Sequence, residues 1–134
     1  GMGWGHNTQI TLVTRGLAEI TRFAVAKGAN PLTLSGLAGM GDLVLTCTGG
    51  LSRNRSVGQE LGSGKSLEQA LQSIKQVAEG VRTTKAAYQL AEKLQIDAPI
   101  TTAVYKVLYE KTSLMDAVKG LVRRHPGSEL EFGY

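Results

Sequence analysis

The sequence predicts an all-α domain of about seven helices, and three observations carry that expectation. Apolar residues recur at three- and four-residue steps in segment after segment, the period of a helix with one buried face. No stretch alternates apolar and polar residues between turn signals, as a half-buried strand would. Residues that suit helix N-caps stand ahead of these apolar runs, at Asn7, Asn30, Ser52, Ser66 and Ser113. At 134 residues the chain has one domain's worth of length, enough to bury a core without disulfide or metal staples.

Residues Gly1 to His6 are too glycine-rich for a helix interior, where each glycine costs about 1 kcal/mol against alanine. Asn7 is expected to cap a long helix with Ile10, Val13, Leu17, Ile20 and Ala24 on one face and Gly28 as its stop. Trp4 reads as a packing anchor, and His6 as a capping or surface group rather than a general base. Asn30-Pro31 supplies the cap and first position of a short helix ending near Gly36. The loop from Gly36 to Gly41 follows, and its glycines let backbone approach backbone or ligand.

Val57 and Leu61 give a face to a helix that starts at Ser52 and ends in Gly62-Ser63-Gly64. Ser66 and Gln69 fit a capping box ahead of a short helix carrying Leu67, Ala70, Leu71 and Ile74. Glu79 stands at the start of the next long helix, whose face is Val81, Ala87, Tyr88, Ala91 and Leu94. The dipole stabilises a carboxylate there with no ligand needed. Asp97-Ala98-Pro99 opens a helix with Val104, Tyr105 and Leu108 on one side, and Ser113 caps the last, with Leu114, Ala117, Val118 and Leu121. Beyond Arg124 the pattern fails, so residues 1–124 are expected to form the domain and 125–134 a flexible tail.

Lysine and arginine total 15 against 11 acidic residues, for a formal charge of +4. The basic groups are scattered, which suits an anionic metabolite and not nucleic acid, whose binders carry a basic stripe, a known module or stacking aromatics. One cysteine, Cys47, excludes an internal disulfide and a multi-cysteine zinc site. It reads as a small buried apolar group on a Leu43/Thr46/Cys47 face. Neither a signal peptide nor a membrane-length apolar run is present, so a cytoplasmic protein with no membrane span is expected.

The reactive and anion-binding groups concentrate between Gly41 and Arg55. Asp42 follows a glycine, an apolar run carries Thr46 and Thr48, and Gly49-Gly50 breaks the chain before Ser52-Arg53-Asn54-Arg55. A helix capped by Ser52 offers unpaired N–H groups and the positive end of its dipole to an anion. Arg53 and Arg55 add guanidinium forks that match phosphate, and Asn54 can donate and accept. The simpler reading is a solvated helix start, and on chemistry alone both readings stand.

Gly-Asp-Leu-Val-Leu-Thr-Cys-Thr (41–48) followed by Ser-Arg-Asn-Arg (52–55) resembles the C-terminal domain of bacterial NAD(P)-dependent glycerol-3-phosphate dehydrogenase. The resemblance extends through Asn7-Thr8, residues 14–19 (Thr-Arg-Gly-Leu-Ala-Glu), 36–39, 76–80 (Gln-Val-Ala-Glu-Gly), 99–101 (Pro-Ile-Thr) and 107–109, covering roughly residues 1 to 120 in unbroken order. It implies a substrate domain like the C-terminal domain of phosphogluconate dehydrogenase-like enzymes, closing a cleft against an N-terminal Rossmann domain that binds NAD or NADP. The glycines from Gly36 to Gly41 have the length of a dinucleotide fingerprint but lie between helices, without the strand-turn-helix setting that gives it meaning.

The resemblance also implies roles. Asp42 would lie against the glycerol hydroxyls; Ser52, Arg53 and Asn54 would contact the substrate, with Arg53 on its phosphate; Thr46 would line the site. Arg53 would also face the cofactor, bordered by Val77 and Glu79. The family's catalytic lysine is expected upstream of Gly1, so no catalytic residue and no metal site is expected in this chain. The implied reaction interconverts sn-glycerol 3-phosphate and dihydroxyacetone phosphate, supplying glycerol 3-phosphate for phospholipid synthesis, with this chain alone inactive. An apolar face uncovered in the absence of the Rossmann partner is a route to a homo-oligomer. The alternative is a non-enzymatic helical module that binds an anionic ligand or a protein partner.

Overall fold

A computed structural model describes residues 2–34, 39, 41–48, 52–74 and 78–123. Among these the protein is all-α: α1 (His6–Ala26), α2 (Pro31–Leu34), α3 (Asp42–Thr48), α4 (Arg53–Gly62), α5 (Leu67–Ser73), α6 (Glu79–Leu94), α7 (Pro99–Tyr109) and α8 (Leu114–Arg123). The expected number is met with one addition. The apolar run at 43–48, which the sequence reading left unassigned, is α3. The expected tail beyond Arg124 lies outside the described residues.

The caps explain most boundaries. The Ser52 hydroxyl accepts from the Arg55 N–H, Ser113 from the Asp116 N–H, and Asn30 Oδ1 from the Leu32 N–H. Ser66 and Gln69 form the expected capping box. Asn7 is a correction, since α1 begins at His6, two residues before the expected start, after an extended Gly5 with no side-chain cap. Three helices end in the same way, with a left-handed residue followed by an N–H that reaches back five residues. The residues are Gly28 (φ +92°, Ala29 N–H to the Ala24 carbonyl), Gly64 (φ +102°, Lys65 to Glu60) and Gln95 (φ +54°, Ile96 to Ala91). The third stop was not expected because it uses no glycine.

Helix α7 is the centre of the packing, in contact with α1, α6 and α8, while α4 packs on α5 and α6. The core is built largely of small residues. Val57, Ala70 and Ala78 are buried under Leu61, Leu67, Ile74 and Val81, and Ala91 and Ala98 are buried nearer α7. Alanines at these positions let helix axes approach closely. On α1 the expectation is corrected: the buried residues are Glu19 and Thr21, while Ile10 of the apolar stripe is 64% exposed and Ile20 is also exposed.

Chemistry explains the inversion. Pro99 at the first position of α7 has no N–H, and Ala98 cannot cap. The Glu19 carboxylate fills that role from α1, accepting from the Ile100 N–H at 2.8 Å and the Thr101 N–H at 2.7 Å. Thr21 turns its hydroxyl back to the Leu17 carbonyl at 2.7 Å. Arg22 fastens the same junction by donating to the Asp97 carbonyl at 3.1 Å. Much of the apolar surface of α1, α7 and α8, including Val13, Leu108 and Leu121, lines a cleft of about 500 Å³. Trp4 is more than a third exposed, a looser anchor than expected.

Candidate functional site

Helix α4 begins where two other helices terminate, and its first turn ties both to itself. The Ser52 hydroxyl satisfies the Arg55 N–H at 3.2 Å, which starts the helix. The Arg55 guanidinium then reaches the last turn of α3, donating from Nε to the Cys47 carbonyl at 3.1 Å. A cation at a helix C-terminus is favoured by the dipole and satisfies a carbonyl that has no helical partner. Asn54 acts in the other direction. Its Oδ1 accepts from the Gly80 N–H at 2.9 Å, capping the first turn of α6, where Ala78 offers no side-chain cap.

The N-termini of α4 and α6 and the C-terminus of α3 thus meet around residues 52–55. Arg53 is exposed there and, among the described residues, makes no hydrogen bond or ion pair. Glu79, the first residue of α6 and neighbour to Gly80, is exposed as well. Two positive dipole ends beside an unengaged guanidinium can hold an anion, and bidentate pairing of that guanidinium favours phosphate or carboxylate.

Of the residues expected to form the site, Ser52, Arg53, Asn54 and Glu79 come together here. Asp42 and Thr46 lie on α3, with Asp42 at its far end, but their side chains lie outside the described residues, and Val77 lies outside them entirely. Cys47 is a correction: it is exposed at the edge of the apolar cleft rather than buried. Partial burial pushes its thiol pKa above the usual value, while the Arg55 charge pulls the other way. The structure adds two residues that sequence reasoning missed. Arg55 was read as a ligand fork and is instead a strap on α3. Gly80 was read only as part of a motif; nothing in one sequence signals that its hydrogen faces a side chain 26 positions earlier.

A protein-family model described as the C-terminus of NAD-dependent glycerol-3-phosphate dehydrogenase matches residues 1–119. The chain belongs to that family. Among proteins similar to this chain is the glycerol-3-phosphate dehydrogenase [NAD(P)+] of Myxococcus xanthus, 58% identical over 130 residues, which are 97% of this chain and 39% of that protein. The enzyme of the same name from Citrifermentans bemidjiense is 54% identical over 129 residues, 96% of this chain and 38% of its own length. A crystal structure of glycerol-3-phosphate dehydrogenase from Coxiella burnetii superposes with a TM-score of 0.86 at 43% identity, covering 90% of this chain and 37% of that one. The chain therefore spans about two fifths of the length of the relatives it matches. Among the described residues, no helix is long and apolar enough to cross a membrane, and no cluster of histidine, cysteine and carboxylate side chains could hold a metal ion.

Proposed function

We propose that this chain is the substrate-side domain of an enzyme that interconverts sn-glycerol 3-phosphate and dihydroxyacetone phosphate with NAD or NADP, acting in the cytoplasm to supply glycerol 3-phosphate for phospholipid synthesis. The observation that carries the reading is the exposed Arg53 guanidinium, unengaged among the described residues, at the first position of α4, next to the Asn54 that caps the start of α6. The substrate's phosphate is the anion it would pair with. Arg53 and Asn54 donate to the phosphoryl oxygens, and the Ser52 end of α4 adds its dipole. Asp42 and Thr46 on α3 take the hydroxyl-bearing end.

The donor set also fits the edge of a dinucleotide, because Arg53 and Glu79 are an exposed cation and anion at one helix junction, able to meet phosphate and ribose hydroxyls respectively. These two residues, with Val77, would border a nicotinamide cofactor held mainly by an N-terminal Rossmann domain. When bound, the cofactor supplies the hydride. The residues of this chain bind and orient: fixing the nonreacting phosphate places the carbonyl for attack, so the binding energy of that end is expressed in turnover. The proton donor to the developing alkoxide, a lysine in the family pattern, belongs to the part of the protein N-terminal to this chain. The exposed apolar side chains of the domain, Leu32 and Leu45 among them, offer a surface for assembly into a homo-oligomer.

The test is NADH and NADPH oxidation with saturating dihydroxyacetone phosphate, run on this chain alone and on the chain joined to its N-terminal domain. Activity only in the joined protein is expected, and Arg53→Ala in that protein lowers kcat/KM at least about tenfold, equivalent to about 1.4 kcal/mol. Absence of activity in the joined protein would leave a helical anion-binding module, and an unchanged kcat/KM for Arg53→Ala would remove Arg53 from the phosphate.

A further inference from the structure

The contact between Asn54 and Gly80 is closer than a cap requires. A Cβ added to Gly80 would lie 2.5 Å from Asn54 Oδ1, 2.6 Å from its Cγ and 2.8 Å from its Nδ2. The carboxamide therefore lies against the glycine, and any side chain at this position would force the Asn54 amide to move. The two peptides that follow this N–H are also held by side chains. The Thr84 hydroxyl donates to the Gly80 carbonyl at 2.6 Å, and the Tyr109 hydroxyl donates to the Val81 carbonyl at 2.6 Å. A fixed N–H meeting a side-chain amide can pair only with its oxygen end. Gly80 thereby decides which way the Asn54 amide faces: Oδ1 is occupied, and the two Nδ2 hydrogens, unpaired among the described residues, remain available to a ligand.

We propose that Gly80 is a positioning residue that locks the Asn54 carboxamide with its N–H groups toward the ligand, making Asn54 a donor-only contact selective for the phosphoryl end of the substrate. A freely rotating amide would present its oxygen to an anion part of the time, and the lock removes that repulsive orientation. The inference rests on the reading of Ser52, Arg53 and Asn54 as the phosphate site, and deepens it.

The experiment uses the complete enzyme and compares dihydroxyacetone phosphate with dihydroxyacetone, which lacks the phosphoryl group. Gly80→Ala should lower kcat/KM for the phosphorylated substrate at least about tenfold and leave that for dihydroxyacetone within about twofold, a split that general loss of structure would not produce. Asn54→Asp should keep the cap on Gly80, because a carboxylate accepts the same N–H, and so keep Tm. It should lose at least about tenfold with the phosphorylated substrate only. Combining Gly80→Ala with Asn54→Ala should cost no more than either change alone, since both remove one interaction. Equal losses on the two substrates, or additive losses in the double variant, would overturn the positioning role even if Arg53→Ala confirms the phosphate site. If neither Arg53→Ala nor Asn54→Ala affects the phosphorylated substrate, the phosphate site itself fails, and the role of Gly80 with it.

Discussion

Arg55 and Cys47 show how much a single side chain's meaning depends on its neighbours. In sequence, Arg53 and Arg55 are equivalent forks two positions apart; in the fold the Arg53 guanidinium is unengaged among the described residues and that of Arg55 is spent on the Cys47 carbonyl. Successive helix residues point in directions about 100° apart, so residues two positions apart on α4 face nearly opposite ways. Only Arg53 is left to act on a ligand. Cys47 carries a prediction of its own. Its raised pKa lowers the thiolate fraction at neutral pH, so alkylation by iodoacetamide at pH 7.5 should run more slowly than that of a free thiol, although the residue is exposed. The Arg55 charge favours the thiolate, so Arg55→Ala should move the midpoint of the alkylation rate further up in pH. A midpoint unchanged or lowered in Arg55→Ala would show that the guanidinium does not act on the sulfur.

At the scale of elements, α7 is the helix whose start the rest of the fold must supply. Proline and alanine leave its first turn uncapped, and a carboxylate from α1, 3% exposed, satisfies two of the N–H groups. Glu19→Ala should destabilise the domain by about 2–4 kcal/mol, because two charge-assisted bonds are lost and two part-buried donors are left without partners. Glu19→Gln should cost less, since one oxygen still accepts while the NH2 opposes the second donor. Urea unfolding followed by circular dichroism reads both, and equal stability of Glu19→Ala and the parent would show that the cap contributes nothing net. The boundaries that could be read from sequence are those whose chemistry is local: Ser52, Ser66 and Ser113 as caps, Gly28 and Gly64 as stops. Glu19 could be placed in a motif but not given its task, because its partners stand 81 and 82 residues away. Helix α3 lacks the start signals that mark the equally short α5 (a capping box) and the shorter α2 (Asn30-Pro31), and its C-terminus is satisfied by Arg55 from the next helix.

For the whole molecule, burial is the telling quantity. Small residues fill the core: Ala70 is completely buried, and no large side chain is completely buried among the described residues. The large apolar side chains instead border the open cleft or stand exposed, Leu45 at 70%. Apolar surface of this extent on one chain is normally covered by something. The chain alone should therefore bind an environment-sensitive dye such as ANS at neutral pH, and the complete enzyme should bind less per molecule. Equal dye binding by the two would mean that the rest of the protein does not cover these surfaces.

The sequence by itself determined the all-α class, the capped helix starts, the family and the cluster of Ser52, Arg53 and Asn54, because periodicity, caps and an uninterrupted motif order are properties of neighbours in the chain. Only the tertiary structure decided that Glu19 is buried as a cap, that Arg55 is a strap while Arg53 is unengaged among the described residues, and that Gly80 sets the face Asn54 presents. Those depend on which backbone groups are left without partners when helices distant in sequence meet, and an unpaired donor can be identified only once every helix has its place.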